Sequence, residues 1–264
     1  MNKKIRVLCF ASAVVAAACA SQAAEVIYSN NFEAPSYTTG DLDGQDSWVA
    51  NMYKSVSAQV VNGTGINTSQ VLGKSTSATS AGGVSQAVSL GLGSYTSGSF
   101  SVDFYRSGLA PATVYAGFGN PADRNLGIAA QLNGQTFWYR DGVTTGTALV
   151  LYDRAANTFK VADNSWYRLT FNLDFVNNEI TSVFAQNLTT GSAAVQLYFD
   201  SNATVANHAY VADETLWGHA YVRTGLSKDN TTFIDNITLT RTPANLGNVV
   251  GAACKMGHPV NNPI

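Results

Sequence analysis

Period-two alternation of apolar and polar residues, interrupted by Gly and Asn turns, limits this chain more than any other feature of its sequence. In Phe100–Phe104 the apolar residues alternate, and Leu126, Ile128 and Leu132 share one face of an extended segment. Trp166–Phe175 and Ile180–Leu188 read as two long strands joined by a Val176-Asn177-Asn178-Glu179 turn, and Phe233–Thr240 reads as a closing strand before Pro243. Turn pairs recur at Asn62-Gly63, Gly82-Gly83, Asn133-Gly134, Asp141-Gly142 and Thr190-Gly191. Helical spacing of apolar residues is nearly absent. Many short strands at intervals of about ten residues predict an all-β fold, an antiparallel two-sheet jelly-roll sandwich.

The first 23 residues stand outside that pattern. Lys3, Lys4 and Arg6 precede the short apolar run Val7–Ala18, and Ser21-Gln22-Ala23 has the small-x-small form of a cleavage site. Residues 1–23 are therefore expected to be a secretory signal peptide, placing the chain outside the cell, in the periplasm or at the cell surface. The rival is a lipoprotein tether through Cys19, because Ala16-Ala17-Ala18-Cys19 is a degenerate lipobox. No other segment has the length and hydropathy of a transmembrane helix. The sandwich is expected over 24–243, with a partly ordered tail over 244–264.

Charge and cysteine content narrow the function classes. Removing the three leader bases from 15 leaves 12 against 17 acids, a net charge of −5. That balance argues against nucleic acid as a partner, for which a basic stripe is expected. Beyond the leader only Cys254 remains, so no internal disulfide is available.

Two ends of the chain carry a resemblance. Asn30-Asn31-Phe32-Glu33, followed by Gly44-Gln45 and Trp48, stands near the start, and Phe233-Ile234-Asp235-Asn236-Ile237-Thr238-Leu239 stands near the end. Asn164-Ser165-Trp166-Tyr167-Arg168-Leu169 with Leu173-Asp174 lies between them. Together they resemble the jelly-roll carbohydrate-binding modules and the concanavalin-like, laminin-G-like sandwiches of secreted bacterial proteins. The resemblance implies that the first and last strands pair, and that Glu33 and Asp235 help hold a structural Ca²⁺. Such an ion takes six to eight oxygens, which neighbouring Asn31, Asn236 and loop carbonyls could complete. Asp41-Leu42-Asp43-Gly44-Gln45-Asp46 echoes an EF-hand loop, but its glycine is misplaced and no glutamate closes it, so a polar, solvated turn is the better reading.

Catalytic patterns are weak. The glutamates after the leader are Glu25, Glu33, Glu179 and Glu214, and none forms the pair that a glycosidase requires. The three histidines, His208, His219 and His258, lie in the last quarter of the chain without a nucleophile elbow. Cys254 and His258 lack the further ligands of a zinc site.

The most suggestive stretch is Trp217–Arg223. Alternation puts Trp217, His219, Tyr221 and Arg223 on one face and Gly218, Ala220 and Val222 on the other. Phe137–Asp141 adds Trp138 and Arg140 on one face, opposite Phe137 and Tyr139, and Tyr105 with Asp103 are candidates from a neighbouring strand. Flat aromatics beside planar donors suit sugar rings and hydroxyls. Trp48 and Trp166 are expected between the sheets as core. The reading is a secreted, noncatalytic sandwich that binds glycan through Trp217, His219, Tyr221, Arg223, Trp138 and Arg140. Two alternatives stay open: a polysaccharide lyase or glycosidase on the same fold, with Tyr221, His219 and Arg223 as the lyase candidates, and a surface adhesion protein without a small ligand.

Overall fold

The computed structural model describes residues 24–50, 58–74, 82–92, 95–107, 113–120, 125–140, 148–155, 157–210, 217–224 and 232–242. The leader, the tail with Cys254 and His258, and the Asp141-Gly142 and Asp213-Glu214 pairs lie outside them. Among the described residues no helix is long and apolar enough to cross a membrane.

Two antiparallel sheets make the sandwich. One contains β1 (Glu25–Asn30), β2 (Gly40–Asp41), β4 (Ala58–Asn62), β5 (Gln70–Lys74), β7 (Ser97–Arg106), β12 (Ser165–Asp174), β13 (Glu179–Asn187), β14 (Val195–Leu197), β15 (His208–Ala209) and β17 (Thr232–Thr242). Its order is β14-β13-β12-β7-β17-β5-β4-β2, with β1 on β17 and β15 on β13. The other contains β3 (Trp48–Ala50), β6 (Gly82–Ala87), β8 (Thr113–Asn120), β9 (Asn125–Asn133), β10 (Thr136–Arg140), β11 (Ala148–Val150) and β16 (His219–Thr224), in the order β11-β10-β9-β8-β16-β6-β3. The expected all-β jelly-roll sandwich is the observed architecture.

Local chemistry explains the turns. Gly134, at φ 61°, takes the first position of the two-residue β9–β10 turn, where a type II′ turn requires positive φ. In the β12–β13 hairpin the Asp174 carboxylate accepts the backbone N–H groups of Val176 (2.8 Å) and Asn177 (3.0 Å), and Asn178 is left-handed at φ 53°. These bonds, with Asn177 first, hold the Asp174 carboxyl below its ordinary range. Gly82-Gly83, expected as a turn, instead opens β6, where Gly83 faces the Tyr221 ring: a Cβ there would stand 3.3 Å from it.

The inward residues of both sheets form one core. Phe100 of β7 meets Phe118 of β8 edge-to-face at 5.4 Å, and Phe104 meets Phe137 of β10 at 5.7 Å, so aromatic contacts join the two sheets. Trp48 is fully buried there, as expected, and donates its indole N–H to the Tyr37 hydroxyl (3.1 Å). Trp166 is buried but not between the sheets. It packs with Tyr105 and Val71 in a separate cluster on the outer side of the ten-stranded sheet, because Tyr167 takes the inward position of β12.

The acids of the opening loop brace it. Asp41 accepts the Gln59 amide (2.6 Å), Asp43 the Ala50 N–H (2.7 Å), and Asp46 the Tyr37 hydroxyl (2.8 Å) and the Gln86 amide (3.2 Å). Leu42 between them is fully buried. The loop is thus a hydrogen-bonded turn rather than a merely solvated one.

Candidate functional site

Two regions carry polar chemistry, one on the outer face of each sheet. On the seven-stranded sheet, strand register brings side chains into rows. Arg223 of β16 stands opposite Tyr115 of β8, Tyr115 opposite Gln131 of β9, and Gln131 opposite Trp138 of β10. In the next row Tyr221 stands opposite Gly117, Gly117 opposite Ala129, and Ala129 opposite Arg140. Small residues on β8 and β9 therefore separate Tyr221 from Arg140, leaving the longer side chains to stand around them.

Tyr115 is the centre of this face. Its hydroxyl accepts a 2.6 Å bond from the Arg223 guanidinium and a 3.5 Å bond from the Tyr221 hydroxyl. The two rings lie 5.7 Å apart. The guanidinium carbons of Arg140 and Arg223 lie 5.7 Å and 5.6 Å from the Tyr115 ring centroid, within cation–π range. Tyr115, Tyr221 and Ala129 form a small apolar cluster distinct from the core. Trp138 is half-buried and donates its indole N–H to Thr136 (2.7 Å).

Among the described residues on this outer face, Gln131 Oε1, Arg140 Nε and His219 Nδ1 are buried without a hydrogen-bond partner. Gln131 is only 3 % exposed. Buried polar atoms are nearly always paired, so an orphaned group in a native fold requires an explanation.

Five of the six predicted ligand residues fall on this face: His219, Tyr221, Arg223, Trp138 and Arg140. Trp217 does not. It precedes β16, is 2 % exposed, and lies in the core, stacked on Phe118 (6.2 Å) and tilted against Tyr210 (5.4 Å). Its approach needs Gly127, where a Cβ would land 1.8 Å from the indole nitrogen. Asp103 and Tyr105, expected as neighbours of Trp138, belong to β7 in the other sheet. Sequence reasoning missed Tyr115 and Gln131. The one available signal was Gln131, a polar residue inside the apolar run Ile128–Leu132.

The second region is a cavity of about 460 Å³ on the ten-stranded sheet. Asp103 of β7 stands opposite Asp235 of β17 and opposite Arg168 of β12. Arg168 grips Asp103 through two bonds, Nε to Oδ1 at 2.7 Å and Nη2 to Oδ2 at 2.8 Å. Asn236 donates to Asp103 (2.9 Å) and Asp235 (3.1 Å), and Asn67 donates to Asp235 (2.6 Å). Glu33 lines the same cavity and accepts the Gln70 N–H (3.3 Å).

Predicted metal residues Glu33 and Asp235 thus share one cavity. Asp235 is 2 % exposed and its Oδ1 has no partner. Burial pushes its carboxyl from 3.8 up to about 7. Among the described residues no three His, Cys, Asp or Glu side chains gather as a metal-holding group. Asp103 is committed to Arg168, so a cation here would draw on Glu33, Asp235 and the amides of Asn31 and Asn67. An orphaned, buried carboxylate oxygen fits a hard cation.

The fold and these sites define a two-sheet jelly-roll sandwich with a polar aromatic face. No family model matches the chain, and no curated protein matches it. Among solved structures, a carbohydrate esterase from Shiga toxin-encoding bacteriophage phi24B superposes with a TM-score of 0.44 at 17 % identity, covering 84 % of this chain and 100 % of that one. Carbohydrate-binding module CBM66 from Bacillus subtilis gives 0.41 at 9 %, covering 76 % and 99 %. Lectin II from Ulex europaeus gives 0.43 at 10 %, covering 83 % and 99 %. These are likenesses of fold.

Proposed function

We propose that this protein is a secreted, noncatalytic glycan-binding sandwich whose ligand lies on the outer face of the seven-stranded sheet. One observation carries the reading: Arg223, Tyr115, Gln131 and Trp138 form a row across four adjacent strands, with Arg140 beside it and the Gln131 carbonyl buried without a partner. A sugar supplies what such a row lacks. Its C–H face packs on an aromatic ring, and its hydroxyls donate to the amide and accept from guanidinium. Immobilised glycans should retain the protein, and Trp138→Ala should lose that retention with its melting transition intact. Retention unchanged in Trp138→Ala would place the ligand elsewhere.

Eliminative cleavage is the second reading, favoured by the Tyr115 hydroxyl held at 2.6 Å by Arg223, with Tyr221 and His219 on the same face. A positioned tyrosine can act as general base and acid beside a guanidinium that neutralises a uronate. Incubation with uronic-acid polymers would then generate unsaturated ends, read by ultraviolet absorbance; a flat trace across a broad panel rejects it.

We propose Ca²⁺ as a structural ion between Glu33 and Asp235, supported by the unpartnered Asp235 oxygen. It would tie the segment after β1 to the last strand. Chelator should lower the melting temperature and Ca²⁺ restore it; an unchanged melt rejects the site.

A further inference from the structure

The seven-stranded sheet differs in charge from the rest of the molecule. None of its strands contains Asp or Glu, and their charged residues are Arg140 and Arg223. The ten-stranded sheet carries Glu25, Asp41, Asp103, Asp174, Glu179 and Asp235. In a chain with more acids than bases, a sheet without acids is a segregation of charge.

The two arginines converge. Each guanidinium stands over the ring of Tyr115, one reaching across β9 from β10 and the other from the adjacent β16. Two guanidinium groups at one ring present a cationic patch that attracts an oxyanion. On the other sheet Arg168 pairs with Asp103 and Arg241 with Glu25. Arg140 forms no ion pair with a carboxylate among the described residues, and its Nε–H is buried without an acceptor. Gln131, between Tyr115 and Trp138, presents the complementary lack: a buried carbonyl oxygen without a donor. The face therefore calls for an acceptor at Arg140 and a donor at Gln131.

We infer that the glycan taken by this face is acidic, its carboxylate or sulfate group seated against Arg140 and Arg223 while a ring hydroxyl donates to Gln131. The inference rests on the glycan-binding reading and adds the ligand's charge. Charge-assisted bonds from a guanidinium fork to an oxyanion are the strongest this face can make. Bulk electrostatics would repel a polyanion from a net-negative chain, so retention of one would report this local patch.

The test uses the full chain on immobilised polygalacturonate, dextran sulfate and neutral dextran, with a neutral glycan panel beside them. Retention by either charged polymer and not by dextran is expected, and which of the two retains it distinguishes carboxylate from sulfate. Retention should weaken as salt screens the contact. Arg140→Gln should weaken it about tenfold, Arg140→Lys should recover part of the loss, and Arg241→Gln on the other sheet should leave it unchanged. Melting curves confirm that each variant is folded; if Arg140→Gln does not fold, Arg140→Lys and the salt series decide. Neutral glycans retained as well as acidic ones, salt-independent retention, or an Arg140→Gln variant that binds normally would overturn the acidic-ligand inference and leave glycan binding standing. Retention on no glycan at all would overturn both.

Discussion

The outer faces of the two sheets solve the same problem in opposite ways. On the outer face of the ten-stranded sheet, the two buried carboxylates are largely bonded within the protein: Asp103 receives two bonds from Arg168 and one from Asn236, and Asp235 receives bonds from Asn67 and Asn236. One atom of that network, Asp235 Oδ1, is left over. The seven-stranded face instead leaves Gln131 Oε1, Arg140 Nε and His219 Nδ1 without partners, and its strands contain no carboxylate. A satisfied buried network rigidifies a fold, whereas scattered unsatisfied atoms on one face mark where an outside group completes the bonding.

The largest effect separates core from face. Trp217→Ala should destabilise the fold by about 3–5 kcal/mol, the range for a large aromatic removed from a core. Its melting temperature should drop steeply; a variant that melts normally yet fails to bind would return Trp217 to the ligand face. Next comes pH. Asp235 has a carboxyl pushed from 3.8 up to about 7 by burial. Below about 4 both folded and unfolded chains hold that proton, so the contribution is fully present. As pH rises, the unfolded chain ionises first, and stability falls by about 4 kcal/mol until the folded carboxyl also ionises near 7. Without Ca²⁺ the melting temperature should fall across that window, and Asp235→Asn should flatten the slope. Added Ca²⁺ should bind more tightly as pH rises towards 7, because it requires the ionised form.

Smaller effects sharpen the contrast between the faces. Arg168→Ala leaves Asp103 buried without its guanidinium. The cost should be about 2 kcal/mol, reduced from the fully buried case because Arg168 is partly exposed, and glycan retention should not change. Trp138→Ala should do the reverse, lowering glycan affinity about tenfold, some 1.4 kcal/mol, with little effect on melting. If Arg168→Ala lost retention, the ligand would lie on the ten-stranded side.

Much of the fold was legible because alternation held where strands are regular. In β10, Phe137 and Tyr139 point inward and Trp138 and Arg140 outward, as the sequence pattern reads. In β16, Ala220 and Val222 point inward while His219, Tyr221 and Arg223 face out. The pattern failed at Trp217, which lies before the first residue of β16, where the two-residue period does not yet apply. Tyr115 and Gln131 were not legible as site residues, because their role comes from cross-strand register and not from neighbours in sequence.

By itself the sequence determined the fold class and most of the aromatic face, since both follow from local periodicity and turn chemistry, while the pairing of the chain's two ends was implied by the resemblance of its end motifs. Tertiary structure alone decided where Asp235 points. Strict alternation would group Asp235 with Ile237 and Leu239, toward the core. Instead β17 is bulged between Asp235 and Thr238, with Asn236 left-handed at φ 49°. The extra residue shifts the parity, so Ile234, Ile237 and Leu239 all reach the core while Asp235 turns outward beside Asp103 and into the cavity with Glu33. One inserted residue reverses the face of everything before it, and only pairing with β7 reveals where it lies.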